Sequence, residues 1–179
     1  ARRGKRLPVV CSREEVSALF GKMCGVDGLI VRLMYGTGMR VSEALRLRVQ
    51  DLAFDRKEIT VHAAKGDKDR RVPLPDSLRC ELQKHLEWRR ALFDADREKG
   101  LHGVYLPGGL ARKYPAAPFE WKWQYVFPAD DVSTDPRSGQ TRRHHILAKQ
   151  IQRAVRKAAK AAGITSRVTP HTLRHSFAT

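Results

Sequence analysis

The apolar positions of this chain follow the three-to-four-residue spacing of helices towards both ends and a two-residue, strand-like spacing near the middle. The capping-box sequence Ser12-Arg13-Glu14-Glu15 predicts a helix that runs to about Lys22. The strongly apolar run 27–35 predicts a buried helix, which the glycine-containing triplet 36–38 breaks. A further short helix is predicted over 39–46.

The middle of the chain predicts an antiparallel hairpin. Residues 58–62 alternate between polar and apolar side chains, 65–68 form a turn, and 70–74 form the returning strand. Pro73 lies in the returning strand and cannot donate a backbone hydrogen bond. We therefore expect this strand at the edge of its sheet.

Three more helices are predicted. Asp76 is expected to cap a long helix that ends near Lys99, and residues 146–162 form a helix with apolar side chains on one side and cations on the rest. Thr169 can cap a last helix, and Pro170 suits its first turn because a missing N–H costs nothing there. The fold is therefore predicted to be mainly α, with a small antiparallel β-sheet or hairpin.

Residues 103–143 have no clear period. They hold five of the nine prolines and both Trp121 and Trp123. This segment is too long for a plain connection between elements, so we interpret it as an insertion with a function of its own.

Composition points to a polyanionic partner. The 179-residue chain carries 35 Lys and Arg against 19 Asp and Glu, a net charge of +16. Because 41% of the residues are hydrophobic, this charge does not indicate simple disorder, and nucleic acid is the expected partner. The sequence has no run of about 18 apolar residues and no signal peptide, so neither a membrane span nor secretion is indicated.

The cysteines suggest a reducing compartment. Cys11, Cys24 and Cys80 are widely spaced and form no CxxC pair. We expect free thiols in the cytoplasm and no zinc site. The neighbouring His144 and His145 could hold zinc only poorly, because adjacent histidine side chains rarely converge.

Four basic side chains could bind a phosphate. Arg40 follows a glycine turn, Lys65 lies at the predicted hairpin tip, and His171 and Arg174 lie three residues apart on one helix. Each also has a simpler explanation. Arg40 could form a surface ion pair with Glu43, Lys65 could be solvated, and His171 could be a surface or capping residue. Spacing alone supports a phosphate-binding basic domain.

The four basic residues together with their neighbouring sequences indicate a more specific function than each residue does alone. The segments 37–45 (TGMRVSEAL), 65–74 (KGDKDRRVPL) and 171–179 (HTLRHSFAT) closely resemble, in order, three signature segments of the tyrosine recombinases. The resemblance covers essentially the whole chain outside the insertion. It implies a tyrosine recombinase catalytic domain over 11–179, preceded by an interdomain linker over 1–10.

By this resemblance, Arg40 and Arg174 match the two catalytic arginines, Lys65 matches the hairpin lysine, and His171 matches the first catalytic histidine. Two guanidiniums could clamp the phosphate oxygens in the transition state. In this family a tyrosine attacks the phosphate, forms a 3′-phosphotyrosyl link and releases a 5′-hydroxyl. Lys65 would protonate the leaving oxygen, and His171 would bind a phosphate oxygen or help to accept the tyrosine proton. The resemblance implies no metal and no other cofactor.

Two supporting residues follow from the same match. Glu43 matches the acidic residue of the first segment, and His175 follows the second arginine, as is common in the family. The family's second His or Trp and its nucleophilic tyrosine lie downstream of the third segment. We therefore expect a fragment that is inactive by itself. We assign the nucleophile to none of the four tyrosines: Tyr35, Tyr105, Tyr114 and Tyr125.

The insertion, placed at 103–145, narrows the resemblance. Its segments 113–128 and 138–145 resemble the extra segment of integron integrases, which recombine folded single-stranded cassette sites and recognise bases that protrude from a hairpin. Aromatic faces among cations suit that task, because each stacked base contributes roughly 1–3 kcal/mol. The predicted DNA-binding residues are Trp121, Trp123, Pro136, Arg142, Arg143, His144 and His145.

One point within the insertion stays open. Of the two tryptophans, we favour Trp123 for the base contact. Alternatively, Trp121 and Phe119 belong to a small helix and pack on the main core.

The sequence therefore predicts a site-specific DNA recombinase of the bacterial cytoplasm. It would insert and excise gene cassettes at folded single-stranded hairpins and a duplex site, as a tetramer on two DNA sites. Two alternatives remain. One is a module that binds DNA hairpins without cutting them, and the other is a duplex-specific recombinase of the chromosome-dimer-resolving type.

Overall fold

The structure is a computed structural model that describes residues 10–62, 68–101, 103–136 and 138–177. The chain divides into two compact units. The first joins Ala1–Ala44 with Ala148–Thr179, and the second is Leu45–Leu147. In the described parts of the chain, no helix has the length and apolar character needed to cross a membrane.

The first unit is helical. The predicted capping box is confirmed, since the Ser12 hydroxyl accepts a hydrogen bond from the Glu15 N–H at 3.1 Å and the Glu15 carboxylate accepts one from the Ser12 N–H at 2.9 Å. Helix α2 contacts both helices of the carboxyl-terminal segment. The helices of this unit are α1 (Arg13–Gly21), α2 (Gly25–Thr37), α3 (Val41–Leu45, of which Leu45 is counted in the second unit), α6 (Ala148–Ala161) and α7 (Pro170–Phe177).

The end of α2 differs from the prediction. The helix continues through Gly36 and Thr37, and the Thr37 hydroxyl donates to the carbonyl of Leu33 at 2.6 Å. Gly38 ends it with a left-handed backbone, φ 65°. A residue with a Cβ is disfavoured in that conformation, so Gly38 provides the stop that turns the chain towards Arg40.

The second unit contains the predicted hairpin. Strands β1 (Leu52–Ala53), β2 (Glu58–Val61) and β3 (Arg70–Pro73) form an antiparallel sheet in that order. Strand β3 lies at the edge and Pro73 pairs with Glu58, which confirms the position expected for the proline. The predicted turn lies partly outside the described residues, and Lys65 lies outside them entirely.

Helix α4 (Asp76–Glu98) is the long helix of the second unit. Asp76 is its first residue and not its cap. Pro75 occupies the cap position without a side-chain hydrogen bond, and the Asp76 carboxylate pairs with the Lys57 ammonium at 3.0 Å. The predicted N-cap was therefore wrong by one residue, because Pro75 already supplies the extended backbone that precedes the helix.

The insertion folds into short pieces with no repeating period. Residues 124–128 between them are buried. The structure therefore has the predicted mainly helical class with small antiparallel sheets. The pieces are α5 (Gly108–Lys113), two 3-10 turns (Ala117–Phe119 and Trp121–Trp123), and the antiparallel strands β4 (Ser133–Thr134) and β5 (Thr141–Arg142).

Candidate functional site

Arg40 lies in the turn between α2 and α3 and is held by Glu43. The Glu43 carboxylate accepts hydrogen bonds from the Arg40 backbone N–H and from its Nη1, both at 2.7 Å. Glu43 is nearly buried, with 7% of its side chain exposed, whereas Arg40 keeps 32% exposed. The pair that spacing suggested is therefore present. It fixes one edge of a guanidinium that still reaches solvent, which suits the recognition of an anion.

Helix α7 carries the second part of the predicted site. The Thr169 hydroxyl accepts from the Thr172 N–H at 3.2 Å, and Pro170 is the first helical residue, as predicted. His171 is exposed and Arg174 half-buried, one helical turn apart. Helix α7 packs against α2, and Arg40, His171 and Arg174 all belong to the first unit. His175 is exposed in the next position, and Lys65 lies outside the described residues.

A cluster of rings lies in the insertion, and we call it the histidine–tyrosine cluster. His144 stacks on Tyr125 with 5.8 Å between ring centroids, and on Tyr105 with 6.4 Å. His145 meets Tyr125 edge-on at 5.1 Å, and the Arg48 guanidinium lies 4.5 Å above the centre of the Tyr125 ring. Sequence reasoning found the two histidines but missed the other three residues. The available signal was that Tyr105 and Tyr125 lie in the same insertion as the two histidines.

The histidines of this cluster are neutral near pH 7. Burial, with the positive charges of Arg48 and Arg142, lowers the pKa of His144, although Asp135 opposes the shift. Burial is also the main reason why the pKa of His145 is lowered. His145 Nδ1 donates to the carbonyl of Ile146 at 2.8 Å, which fixes its tautomer. The two half-buried histidine rings of the cluster are therefore uncharged, whereas the Tyr125 ring is buried.

Acid is expected to destabilise the protein through three histidines. Burial also lowers the pKa of His85, whose Nε2 donates to the carbonyl of Val126 at 2.7 Å. With His144 and His145 this gives three groups whose folded pKa lies below the unfolded value of about 6.5. Their stabilisation is present above that pH and is lost as pH falls through the folded pKa values.

Urea unfolding at about pH 7.5 and about pH 5.5 tests this expectation, and the free energy of unfolding should be smaller at the lower pH. The pKa of His62 is shifted in the opposite direction, so His62 gains stabilising charge on acidification. A His62→Gln variant should therefore lose stability more steeply than the wild type. Equal stability at both pH values would contradict the prediction.

The two tryptophans differ in their surroundings. The Trp121 ring lies 5.6 Å from that of Phe93, and the Arg90 guanidinium lies 5.2 Å from its centre. Trp121 therefore packs on α4, as the packing alternative proposed, whereas Phe119 is 54% exposed. Trp123 is half-buried, and its carbonyl accepts from Arg48 Nη1 at 2.5 Å. The preference for Trp123 as the base contact stays a prediction.

Arg142 and Arg143 bind within the protein. Arg143 makes a two-pronged ion pair with Asp96 at 2.6 and 2.8 Å, and both side chains are close to 90% buried. Arg142 donates to the carbonyls of Gly103 and Val104. Sequence reasoning missed this anchoring role. Their predicted contact with DNA stays a prediction. Pro136, in contrast, is exposed between β4 and β5.

A further buried arginine organises the insertion from α4. Arg89 is 1% exposed, and it donates to the carbonyl of Tyr125 and to the Gln124 side chain, both at 3.1 Å. The Gln124 amide in turn donates to the carbonyls of Pro118 and Glu120 at 3.0 Å. Burial lowers the pKa of Arg89 to about 10, so it remains charged at pH 7. Arg89 therefore holds the 118–125 segment by its backbone.

Helix α6 presents a basic face. Its apolar side chains, among them Ile151 and Val155, are buried in the first unit. The opposite face can approach several phosphates at once. The exposed cations of this helix are Lys149, Arg153, Arg156, Lys157 and Lys160.

The described residues offer no comparable cluster of side chains that could bind a metal ion. Over the ranges that the structure describes, no group of three or more His, Cys, Asp or Glu residues could hold a metal ion.

Curated relatives resemble the chain along its whole length. An "Integrase/recombinase" from Escherichia coli is 50% identical over 178 residues, covering 99% of this chain and 53% of the relative. "Tyrosine recombinase XerA" from Pyrococcus furiosus is 33% identical over 178 residues, covering 98% of this chain and 48% of the relative. The chain thus spans about half the length of these relatives.

Solved structures and a family model also match the chain. The crystal structure of XerA recombinase matches with a TM-score of 0.65 and 26% identity, over 99% of this chain and 51% of that one. XerH recombinase bound to its difH substrate matches with a TM-score of 0.61 and 19% identity, over 99% and 44%, which supports the fold. Residues 10–179 match the Phage integrase family. The chain therefore belongs to the phage integrase family.

Proposed function

We propose that this chain is part of the catalytic domain of a site-specific DNA recombinase, which cleaves and rejoins DNA through a 3′-phosphotyrosyl intermediate. The observation that carries the proposal is the pairing of Arg40 with a nearly buried Glu43, in the same unit as His171 and Arg174. A nearly buried carboxylate orients one guanidinium before substrate arrives, and such preorganised charge stabilises an anionic transition state.

The proposed reaction assigns a role to each basic residue. A tyrosine oxygen attacks the scissile phosphorus, and the bond from phosphorus to the 5′ oxygen breaks. Arg40 and Arg174 neutralise the phosphate oxygens, and Lys65 gives a proton to the leaving 5′ oxygen. His171 binds a phosphate oxygen or helps to accept the tyrosine proton. In this family the attacking tyrosine lies downstream of the third signature segment.

We further propose that the protein acts on folded single-stranded cassette hairpins, in the manner of integron integrases. The half-buried His144 and His145 of the histidine–tyrosine cluster support this step, because neutral aromatic rings can stack on bases of any sequence. Trp123 is half-buried and Pro136 is exposed, so both are accessible to DNA. The basic face of α6 supplies phosphate contacts, and the assembly is a tetramer on two DNA sites.

A duplex-specific recombinase is the second candidate. The 33% identity to a tyrosine recombinase XerA and the structural match to XerA recombinase are compatible with it. The two candidates share the catalytic chemistry. They differ in the form of DNA that they recombine, either a folded single-stranded hairpin or a duplex.

Covalent trapping distinguishes the candidates. The complete open reading frame is expressed and incubated with nicked suicide substrates, either a hairpin with protruding bases or a plain duplex. We expect several-fold more protein–DNA adduct on the hairpin. Trp123→Ala and His145→Ala should remove this preference, whereas Trp88→Ala, a change to an exposed tryptophan on α4, should keep it. Equal adduct on both substrates would favour the duplex-specific enzyme, and binding without adduct would leave a binding module.

A further inference from the structure

His62 forms a bridge between two carboxylates at the base of the hairpin. Its Nδ1 lies 2.8 Å from Asp69 Oδ2, and its Nε2 lies 3.0 Å from Asp51 Oδ1. The residue follows β2 directly, and Asp69 directly precedes β3. Since Val61 pairs with Arg70, His62 and Asp69 are the next cross-strand neighbours. The bridge thus joins both ends of the segment 63–67, which contains Lys65.

Asp51 connects this bridge to the rest of the second unit. Its side chain is 4% exposed, and Oδ2 accepts from the Arg48 N–H at 2.8 Å, which caps the 3-10 turn Val49–Asp51. Asp51 Oδ1 is the oxygen that faces His62. The two strand ends are therefore fastened to a nearly buried group outside the hairpin.

Between two ionised carboxylates, the bridge is complete when both ring nitrogens carry a proton. A neutral imidazole has one N–H and could donate to one of the two carboxylates, so the other nitrogen would present a lone pair to an oxygen. An imidazolium donates to both. Among the described residues, the charged groups that face His62 are Asp51 from the 3-10 turn and Asp69 just before β3, and Arg48 lies beyond Asp51.

We propose that His62 is a positioning residue for catalysis, and that its imidazolium holds the hairpin ends so that Lys65 is placed to protonate the 5′ leaving oxygen. The inference rests on the proposed function, which gives Lys65 that role. His62 contacts carboxylates of its own chain and acts on the reaction through Lys65. Neither His62 nor its two partners belongs to the three signature segments' catalytic set.

Electrostatics agree with this arrangement. Burial lowers the pKa of His62, but the hydrogen bonds and charges of Asp69 and Asp51 outweigh it, and the net pKa is raised. Because the folded pKa lies above the unfolded value, the bridge is complete at low pH and is lost as pH rises through the folded pKa. Burial raises the pKa of Asp51, while Arg48 and His62 oppose the shift.

The test uses a substrate in which sulfur replaces the 5′ bridging oxygen. A tyrosine attacks the same phosphorus, but the bond from phosphorus to sulfur breaks and a thiolate leaves without needing a proton. Single-turnover adduct formation is measured with both substrates for the wild type, Lys65→Ala, His62→Gln and His62→Arg. Arg71→Gln is the matched control, since Arg71 is 72% exposed on β3 and its Nη1 lies 3.9 Å from the Glu58 carboxylate.

We expect His62→Gln to lower the rate on the oxygen substrate by about 100-fold, as a displaced catalytic group does, and the sulfur substrate to restore most of the loss. Lys65→Ala should show the same rescue. His62→Arg should keep near-wild-type rates, because a guanidinium can span both carboxylates. We also expect the wild type to lose rate on the oxygen substrate as pH rises, and His62→Arg should remove this loss. Arg71→Gln should cleave both substrates normally.

Three outcomes would overturn the inference. An equal loss on both substrates for His62→Gln would indicate a general structural defect, and an unchanged rate would indicate no role. If Lys65→Ala is rescued but His62→Gln is not, the proposed function stands and the inference fails. If the wild type forms no adduct with either substrate, the proposed function itself fails, and the inference fails with it.

Discussion

Replacing Arg40 with lysine is expected to lower the rate of covalent adduct formation by about 100-fold or more, with little change in DNA affinity. In the structure, one edge of the Arg40 guanidinium is bound by Glu43 through Nη1 at 2.7 Å. A guanidinium can use one edge for the carboxylate and keep another for phosphate oxygens, whereas an ammonium is a point charge without this fork. Lysine would therefore satisfy Glu43 or the phosphate, but not both in the same geometry.

The measurement separates chemistry from binding. Adduct formation is followed on a suicide substrate, and affinity is measured by fluorescence anisotropy with the same DNA. Arg46→Lys is the control, because Arg46 is exposed at the start of the second unit and should tolerate the change. Undiminished cleavage by Arg40→Lys would remove Arg40 from the catalytic set, and a parallel loss of affinity would assign it to ground-state binding.

Asp96→Asn is expected to lower the free energy of unfolding by about 3 kcal/mol. The substitution leaves Arg143 with its charge in a site where both side chains are close to 90% buried. Removing one partner of a buried ion pair is costly because the remaining charge stays desolvated. The expectation follows from the two short bonds at 2.6 and 2.8 Å that join these residues.

Asp94→Asn is the matched control. It makes the same chemical change two residues earlier on α4, where Asp94 pairs with Arg90 at 3.2 Å and about half of each side chain is exposed. Exposed pairs contribute about 0.5 kcal/mol or less, so urea unfolding should distinguish the two variants clearly. Equal and small effects would mean that the Asp96–Arg143 pair behaves as a surface pair. That result would favour the predicted contact of Arg143 with DNA phosphate.

Local signals explain which parts of the fold could be predicted. The capping box at Ser12 and Glu15 and the Pro170 helix start act within three or four residues, and both are present. The Arg40–Glu43 pair has the same local character. The predicted start of α4 was one residue too late. Pro75 and Asp76 stand side by side, and both residue types suit the beginning of a helix.

The insertion could not be predicted because its interactions are distant in sequence. Arg143 finds Asp96 across 47 positions, so a pair of neighbouring arginines in a basic segment suggested phosphate contacts. Arg48 reaches the Trp123 carbonyl across 75 positions. The His62 bridge was missed for the same reason, since Asp51 lies 11 positions before it and Asp69 lies seven after. Spacing along the chain carries no signal for such contacts.

The anchoring of the insertion has a consequence for engineering. Arg48, Arg89 and Asp96 all precede the segment 103–145, yet they hold it through its carbonyls and through Arg143. Grafting that segment alone onto another recombinase would leave its carbonyls without donors. Deleting it here would leave Arg89 and Asp96 as stranded charges on a helix face shaped to be covered. A functional transplant therefore needs the three host residues together with the segment, and evolution faces the same requirement when such an element is gained or lost.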